Sequence, residues 1–183
     1  MDSPIRVKGI SPENLSDCDK CDGAFLVDSE LVLSVENDIV SYGVVPIDPY
    51  KKRYVADKNR DLSAYIGNPR GNVYLAYVGE QVVGQMIIYI NWNGFCLIED
   101  LEVDVNWRRQ GVGTALIQQA ILWTRKNKLP GIMLETQNNN VPACVLYEKN
   151  GFVLGGYDKN LYKAIDPQTR EIALFWYLFI MEE

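Results

Sequence analysis

The stretch "WRRQGVGTALIQQA", Trp107–Ala120, predicts a glycine-rich turn that leads into a helix. Two glycines follow paired arginines, and an extended pattern gives way to a helical one. A glycine-rich turn before a helix points several backbone N–H groups at one place, and the helix dipole adds partial positive charge. Gly111 and Gly113 let the backbone approach closely, while Arg108 and Arg109 can add charged hydrogen bonds. The stretch predicts an anion site for phosphate; an incidental glycine pair at a helix start is the alternative.

Two familiar phosphate motifs do not fit this stretch. A Walker A loop ends in Gly-Lys-Ser/Thr, but here Thr114 and Ala115 follow the second glycine. The dinucleotide fingerprint needs a third glycine, and Leu116 occupies that position. The anion and the molecule that carries it must therefore be found from the rest of the chain.

Length and composition bound the class of protein. The chain has 183 residues, 48% hydrophobic residues and a net charge of −6, which predicts one globular domain over residues 1–183. An acidic chain with no basic face argues against a nucleic-acid partner and suits a small cationic substrate. No secretory signal is recognisable, and the longest apolar run, Ile172–Met181, is far shorter than the roughly 20 residues that span a bilayer. We expect a cytoplasmic protein without a membrane partner.

Histidine is absent from the sequence, and this limits the possible chemistry. Ser-His-Asp and Cys-His catalysis and HExxH zinc sites are excluded. Cys18 and Cys21 have CxxC spacing, but no second pair follows, so we expect reduced thiols and no metal site. General acid–base catalysis must therefore use Glu, Asp, Tyr, Cys, Lys or water.

The order of elements predicts a mixed α/β fold of the α+β type. A strand begins at "FLVDSELVLSVENDIVSYGVVPI", and "DLSAYIGN" is a short helix ending near Gly67. Further elements are a hairpin across Gly79–Glu80, a strand over "GFCLIEDLEVDV", a helix from Val112 to about Lys128, a strand over "IMLETQ", a helix over Asn140–Asn150, and strands over "FVLGGYD" and "EIALFWYLFI". Asn140 is the expected N-cap of the second helix and Gly151 its C′ residue.

Two spaced motifs carry a family resemblance. Arg108-Arg109-Gln110-Gly111-Val112-Gly113 after "LEVDV" resembles motif A of the GCN5-related N-acetyltransferases (GNAT). "NVPACVLYEKNGF" is similar to the family's N-x-x-A-x-x-x-Y-x-x-x-G-F pattern, from Asn140 to Phe152. The resemblance covers about 73–179, the cofactor core, and leaves about 1–70 as a variable acceptor-side segment. It implies a mostly antiparallel mixed sheet with a splayed central strand pair and flanking helices.

The resemblance also implies acetyl-CoA as the donor, with its pyrophosphate as the anion. The implied cofactor contacts are Leu101, Glu102, Val103 and Val105 on the strand, Arg108, Arg109, Gln110, Gly111, Val112, Gly113 and Thr114 in the turn, and Asn140, Ala143 and Tyr147 on the second helix. Tyr147 would protonate the departing CoA thiolate, which suits a phenol with a pKa of about 10. A core tyrosine on an amphipathic helix is the alternative.

Two glutamates are candidates for the base that deprotonates the acceptor amine. Strict alternation would place Leu97, Glu99, Leu101, Val103 and Val105 on one face of the strand, and Ile98, Asp100, Glu102 and Asp104 on the other. Glu99 would then be the sole carboxylate on an apolar face, where desolvation raises a pKa. Glu135 lies twelve residues before Tyr147, a spacing that resembles protein N-terminal acetyltransferases. Either residue could instead form a structural salt bridge, with water taking the proton.

The acceptor is indicated by longer strings. "NWN", "IEDLEV", "MLETQNNNVPAC", "GGYDKNLY" and "EIALFWYLF" are similar to the streptothricin acetyltransferases, which acetylate an amine of the drug's β-lysine part. The segment "VVPIDPYKKRYVADK", with its basic cluster Lys51–Arg53, departs from that pattern. The alternatives are acetylation of a protein N-terminus or lysine, and a non-catalytic acyl-CoA-binding module. A homodimer is left open.

Overall fold

A computed structural model describes residues 4–54 and 60–180. The chain groups into two compact units. The first takes in the N-terminal part to Phe25, then Arg53–Ile132 and the end of the chain from Ile180; the second takes in Leu26–Lys52 and Met133–Phe179. The single domain expected from length stays a prediction. Residues 55–58 of the segment "VVPIDPYKKRYVADK" lie outside the described residues. No helix in the described ranges is long and apolar enough to span a membrane.

The described residues form strands and two α-helices, with short 3₁₀ helices at Leu15–Asp17, Leu62–Tyr65 and Val105–Trp107. The strands are β1 (Ile5–Gly9), β2 (Phe25–Glu36), β3 (Ile39–Lys52), β4 (Gly71–Val78), β5 (Gln81–Ile90), β6 (Cys96–Val103), β7 (Gly131–Gln137), β8 (Val153–Asp158) and β9 (Ala173–Phe179). The helices are α1 (Val112–Lys126) and α2 (Val141–Lys149). The predicted mixed α/β class, with mostly antiparallel strands, is confirmed. The splayed strand pair stays a prediction.

The first unit is an antiparallel sheet in the order β1-β4-β5-β6, with α1 packed on it. The predicted hairpin of β4 and β5 turns at Gly79–Glu80, where Gly79 has the left-handed φ of 60° that tight hairpin turns favour. Val73, Leu75 and Ile87 are fully buried. They belong to one apolar cluster, on the opposite face of the sheet from α1.

Helix α1 buries the predicted face, including Val112, Leu116 and Ala120. It approaches β5 closely at Gly84, where a Cβ would stand 2.8 Å from Val112 Cγ1 and 3.1 Å from Leu116 Cδ1. The helix ends at Lys126, two residues earlier than predicted. Lys128 takes a left-handed φ of 54°, which terminates the helix before Pro130.

A β-bulge interrupts β6 at Glu99 and overturns the predicted faces. Ile98 pairs with Ile88 and Asp100 pairs with Ile87, so two neighbouring residues on β5 face three on β6. Because paired residues point to the same side of a sheet, the extra residue reverses the alternation beyond it. Leu101 and Val103 therefore share the face of Ile98, while Asp100 and Glu102 share that of Leu97. The prediction that Glu99 lies among Leu97, Leu101 and Val103 was wrong.

The second unit contains the β2–β3 hairpin and strands in the order β7-β9-β8, with β8 antiparallel to β9. The hairpin turns at Asn37 and Asp38, whose φ values are 50° and 63°. Two consecutive left-handed residues are typical of a type I′ turn, which Asn and Asp tolerate better than most residues. The sequence had indicated only a strand beginning in this region.

Three consecutive asparagines after β7 each have a separate structural task. Asn138 accepts from the Ile172 amide (2.9 Å) and donates to the Leu31 carbonyl (3.3 Å). Asn140 caps α2, its side chain accepting from the Ala143 amide at 3.4 Å, as predicted. Gly151 follows the helix with a φ of 88°, which confirms it as the C′ residue. Asn139 donates from Nδ2 to the Tyr50 hydroxyl at 2.9 Å.

Candidate functional site

The turn from β6 to α1 has the backbone of an anion-binding loop. Arg109 and Gly111 both take left-handed conformations, with φ values of 61° and 88°. Alternating left-handed and right-handed residues turn successive N–H groups towards one side of the chain. Arg109, Gln110 and Gly111 are exposed, so these groups are accessible to a ligand.

The start of α1 lacks a side-chain cap. Its N-cap is Gly111, which offers no side chain to accept from the first-turn amides, whereas Asn140 fills this role for α2. The first four N–H groups of a helix have no intrahelical acceptor. Together with the helix dipole, these donors fit a phosphate or pyrophosphate group.

The two arginines of the motif have different surroundings. Arg108 donates from Nε to the Val103 carbonyl at 3.2 Å, and this ties the turn to the end of β6. Gln110 similarly donates to the Asn106 carbonyl at 3.1 Å. Arg109 is exposed. The turn is therefore braced by Arg108 and Gln110, and Arg109 is the arginine placed to add charge to a bound anion.

Strand β6 is shorter than the strand predicted over "GFCLIEDLEVDV". Strand β6 ends at Val103, and Val105 begins a 3₁₀ helix instead of continuing the strand. The Val105 amide donates to the Asp22 carbonyl at 3.0 Å, and the Asp104 amide donates to the Val83 carbonyl at 3.0 Å. The prediction that Val105 extends the strand was wrong, because contacts with Asp22 and Val83 turn the chain there. Leu101, Glu102 and Val103 remain in the strand.

Carboxylates and two arginines gather beside β6 in the first unit. Asp19 is held by Gln85, which donates to its side chain at 2.8 Å and accepts from its amide at 2.9 Å. Arg60 lies 3.5 Å from both Asp19 and Asp100. A separate ion pair joins Arg53 and Asp22 at 2.6 Å.

Glu102 differs from the other carboxylates of this group in its side-chain contacts. Its half-buried side chain forms no hydrogen bond or ion pair within residues 4–54 and 60–180. It lies against Gly23, where a Cβ would stand 1.8 Å from Glu102 Oε1. Burial, followed by the nearby Asp100 and Asp19 carboxylates, raises the pKa of Glu102 to about 7. The family resemblance implies a backbone contact with the cofactor for Glu102, and strict alternation places its side chain on the polar face.

Glu99 is exposed at the bulge, so the predicted desolvation on an apolar face is wrong. Its carboxylate lies near the Tyr65 and Tyr89 hydroxyls. Burial, then the charge of Glu99, raises the pKa of each of these tyrosines. A role for Glu99 as a base stays a prediction that burial does not support.

Tyr147 lies on α2 in the second unit and is 6% exposed. Its ring centroid is 5.8 Å from that of Phe152 and 6.4 Å from that of Trp176. The ring therefore packs in an aromatic cluster, which fixes the direction of the hydroxyl. This packing suits both a core tyrosine and a positioned acid.

Glu135 lies on β7, on the opposite side from the buried Ile132 and Leu134. The Tyr162 hydroxyl donates a hydrogen bond to its Oε1. Burial, followed by the like charge of Glu171, raises the pKa of Glu135 to about 7. A carboxylate with this pKa is half ionised at neutral pH, which suits a general base. Tyr162 and Glu171 were not foreseen, because they lie 27 and 36 positions further along the chain.

The cysteine pair is free, as are Cys96 and Cys144. Burial raises the pKa of Cys18 to about 11 and that of Cys21 to about 12, so neither thiol is ionised at neutral pH. Within the described residues, no group of three or more His, Cys, Asp or Glu side chains is placed to hold a metal ion.

Comparison with known proteins agrees with these features. A model of the acetyltransferase (GNAT) family matches residues 34–152. Streptothricin acetyltransferase A of Bacillus subtilis is 38% identical over 90% of this chain and 94% of that protein. Streptothricin acetyltransferase of Escherichia coli is 32% identical over 93% and 94%. A Bacillus anthracis protein crystallised with acetyl coenzyme A has a TM-score of 0.90 at 36% identity, covering 99% of this chain and all of that one.

The chain belongs to the GNAT family of acetyltransferases. The family model spans well over half of the sequence and includes both the turn before α1 and the whole of α2. The resemblance stated from the two motifs is confirmed, and so is the enzyme class.

Proposed function

We propose that this protein is an acetyl-CoA-dependent N-acetyltransferase that acetylates a primary amine of streptothricin. The observation that carries the proposal is the 38% identity, over 90% of the chain, with a protein named streptothricin acetyltransferase A. A similarity of this extent includes the acceptor-side residues as well as the cofactor motifs.

Acetyl-CoA supplies the acetyl thioester. The exposed amides around Arg109 and Gly111 bind its pyrophosphate, and the charge of Arg109 strengthens this binding. The backbone of Leu101–Val103 pairs with the pantetheine arm as an added strand would. Asn140 and Ala143 act through the helix cap that they form with each other, which fixes the start of α2 and hence the direction of Tyr147.

The transfer needs two proton movements. A base takes a proton from the acceptor ammonium, and the neutral nitrogen then attacks the acetyl carbon. As the C–N bond forms and the C–S bond breaks, the Tyr147 hydroxyl gives its proton to the sulfur. The phenolate regains a proton from solvent, and the remaining amine proton leaves to water. Glu135 is the proposed base, since its pKa of about 7 lets it accept a proton at neutral pH.

The acceptor is a cation, and the first unit carries suitable charges. Asp19, Asp22, Asp100 and Glu102 outnumber Arg53 and Arg60 beside β6. A surplus of carboxylates attracts an ammonium-bearing ligand, and salt screens this attraction over about 10 Å at 0.1 M. We expect the KM for streptothricin to rise with ionic strength.

One assay separates the candidate acceptors. Purified protein and acetyl-CoA are incubated with streptothricin, with an aminoglycoside and with peptides bearing a free N-terminus or a lysine, and released thiol is measured. We expect thiol release with streptothricin and a product heavier by one acetyl group in mass spectrometry. Release with peptides alone would instead identify a protein acetyltransferase. Binding of acetyl-CoA without turnover of any acceptor would identify a binding module.

We also infer action in the cytoplasm, as the four free cysteines suit a reducing compartment. Fractionation of cells that express the tagged full-length chain measures this directly. The homodimer left open by the sequence stays a prediction, and light scattering of the purified protein tests it.

A further inference from the structure

Glu171 is held in place by two side chains of the second unit. Lys52 forms an ion pair with it, and Asn139 Nδ2 donates to Glu171 Oε1 at 3.2 Å. The same Nδ2 also donates to the Tyr50 hydroxyl at 2.9 Å. The side chains of Lys52 and Glu171 are only 15% and 25% exposed, so solvent screens this cluster weakly.

The orientation of the Asn139 amide is set by the Glu171 carboxylate. An ionised carboxylate can only accept hydrogen bonds, so the amide NH₂ must face Glu171. This leaves Asn139 Oδ1 buried without a hydrogen-bond partner within the described residues. An unsatisfied buried acceptor costs stability. Asn139 therefore holds Glu171 at the expense of its own hydrogen bonding, as is common where function competes with stability.

After burial, the charge of Glu171 is the next cause that raises the pKa of Glu135. Two like charges in a poorly solvated place favour the protonated form of one of them. The hydrogen bond from Tyr162 has the opposite effect, because it stabilises the ionised carboxylate. The pKa of Glu135 is therefore raised by Glu171 and lowered by the hydrogen bond from Tyr162.

We propose that Tyr162 and Glu171 are positioning residues for Glu135 in the acetyl transfer. Tyr162 fixes the rotamer of the Glu135 carboxylate, and Glu171 adds negative charge that its ion pair with Lys52 offsets only in part. Lys52 and Asn139 hold Glu171 for this task. The inference rests on the proposed function, since it assumes that Glu135 takes the ammonium proton.

The opposing influences give a test that loss of packing cannot imitate. The pH dependence of kcat is measured with streptothricin, and the Glu135 carboxyl carbon is titrated by ¹³C NMR without any acceptor. Tyr162→Phe should move the acidic limb and the NMR midpoint to higher pH, and Glu171→Gln should move both to lower pH. Each shift should be on the order of one pH unit. Tyr157→Phe, an exposed tyrosine on β8, should leave both unchanged.

The NMR titration separates this proposal from the proposed function. If streptothricin is not acetylated but the two midpoints still move in opposite directions, the acceptor is wrong and the side-chain relationship stands. Midpoints that stay fixed, or that move in the same direction, overturn the positioning role. An unchanged acidic limb in Glu135→Gln overturns it as well, because another group would then be the base.

Discussion

Gly84 on β5 lies directly beneath Val112, the first residue of α1, with room for a hydrogen but not for a methyl group. A Cβ at Gly84 would come within 2.8 Å of Val112 Cγ1. Gly84→Val would push the helix from the sheet, and overpacking of this kind costs about 1–3 kcal/mol. Urea denaturation should show this loss, whereas Gly43→Val on β3, where nothing lies within 4 Å, should cost far less.

The turn before α1 can be tested through its backbone. Gly111→Val forces a β-branched residue into a φ of 88° and brings a side chain to the N-terminus of the helix. Acetyl-CoA affinity, measured by calorimetry, should fall more than tenfold, or about 1.4 kcal/mol. The loss is expected because the exposed amides can no longer close around a pyrophosphate.

Gly94→Val is the matched control for that variant. Gly94 has a φ of 85° and nothing within 4 Å of its Cβ position, so it suffers similar backbone strain in the β5–β6 connection, at the opposite end of β6 from the turn. It should lose stability and keep its acetyl-CoA affinity. Equal affinities for the two folded variants would refute the anion site.

Tyr147→Phe keeps the aromatic cluster and removes the proposed acid. kcat should fall by about 10²–10⁴-fold, while acetyl-CoA affinity is retained. Tyr42→Phe is a suitable control, because Tyr42 also packs on Trp176, at 6.2 Å between ring centroids. If both variants lose the same small fraction of kcat, Tyr147 is a packing residue and water protonates the thiolate.

Glu102→Gln should make the protein more stable at high pH. The pKa of Glu102 rises to about 7 on folding, so the folded chain binds the proton more tightly than the unfolded chain. Its ionisation therefore costs stability as the pH rises from about 4.5 to 7, and the cost stays constant above that range. Guanidinium denaturation at pH 4 and pH 8 should show a gain for the variant only at pH 8.

Glu80→Gln is the control for this pH dependence, since the Glu80 side chain is 97% exposed. It should change stability equally little at both pH values. A Glu102→Gln variant that is destabilised at pH 8 would mean that the ionised carboxylate has a stabilising partner in the folded protein.

Local patterns in the sequence predicted the elements that local chemistry controls. The Gly79 turn, the apolar face of α1, the Asn140 cap and the Gly151 terminus all depend on residues within a few positions of each other. The family motifs added the glycine turn before α1 and the place of Tyr147 on α2. Each of these signals is contained in one short stretch of chain, which is why the sequence alone was sufficient.

The failures came from relationships between distant parts of the chain. The bulge at Glu99 is a mismatch in pairing between β5 and β6, and alternation along β6 alone cannot reveal it. Val105 leaves the strand because Asp22, more than eighty positions earlier, accepts its amide hydrogen bond. The Tyr162–Glu135 hydrogen bond likewise joins residues that no local pattern connects.

The bulge also makes β6 tolerant of a change in chain length. Glu99 has no partner on β5, while Ile98 and Asp100 pair with consecutive residues. Deleting Glu99 would join two existing pairs into a regular ladder and leave every side chain beyond it on its present face. A deletion at Leu101 would instead move Glu102 to the opposite face. A relative that lacks a residue at Glu99 should therefore keep the faces of β6, whereas one that lacks a residue at Leu101 should carry the Glu102 carboxylate on the other side of the sheet.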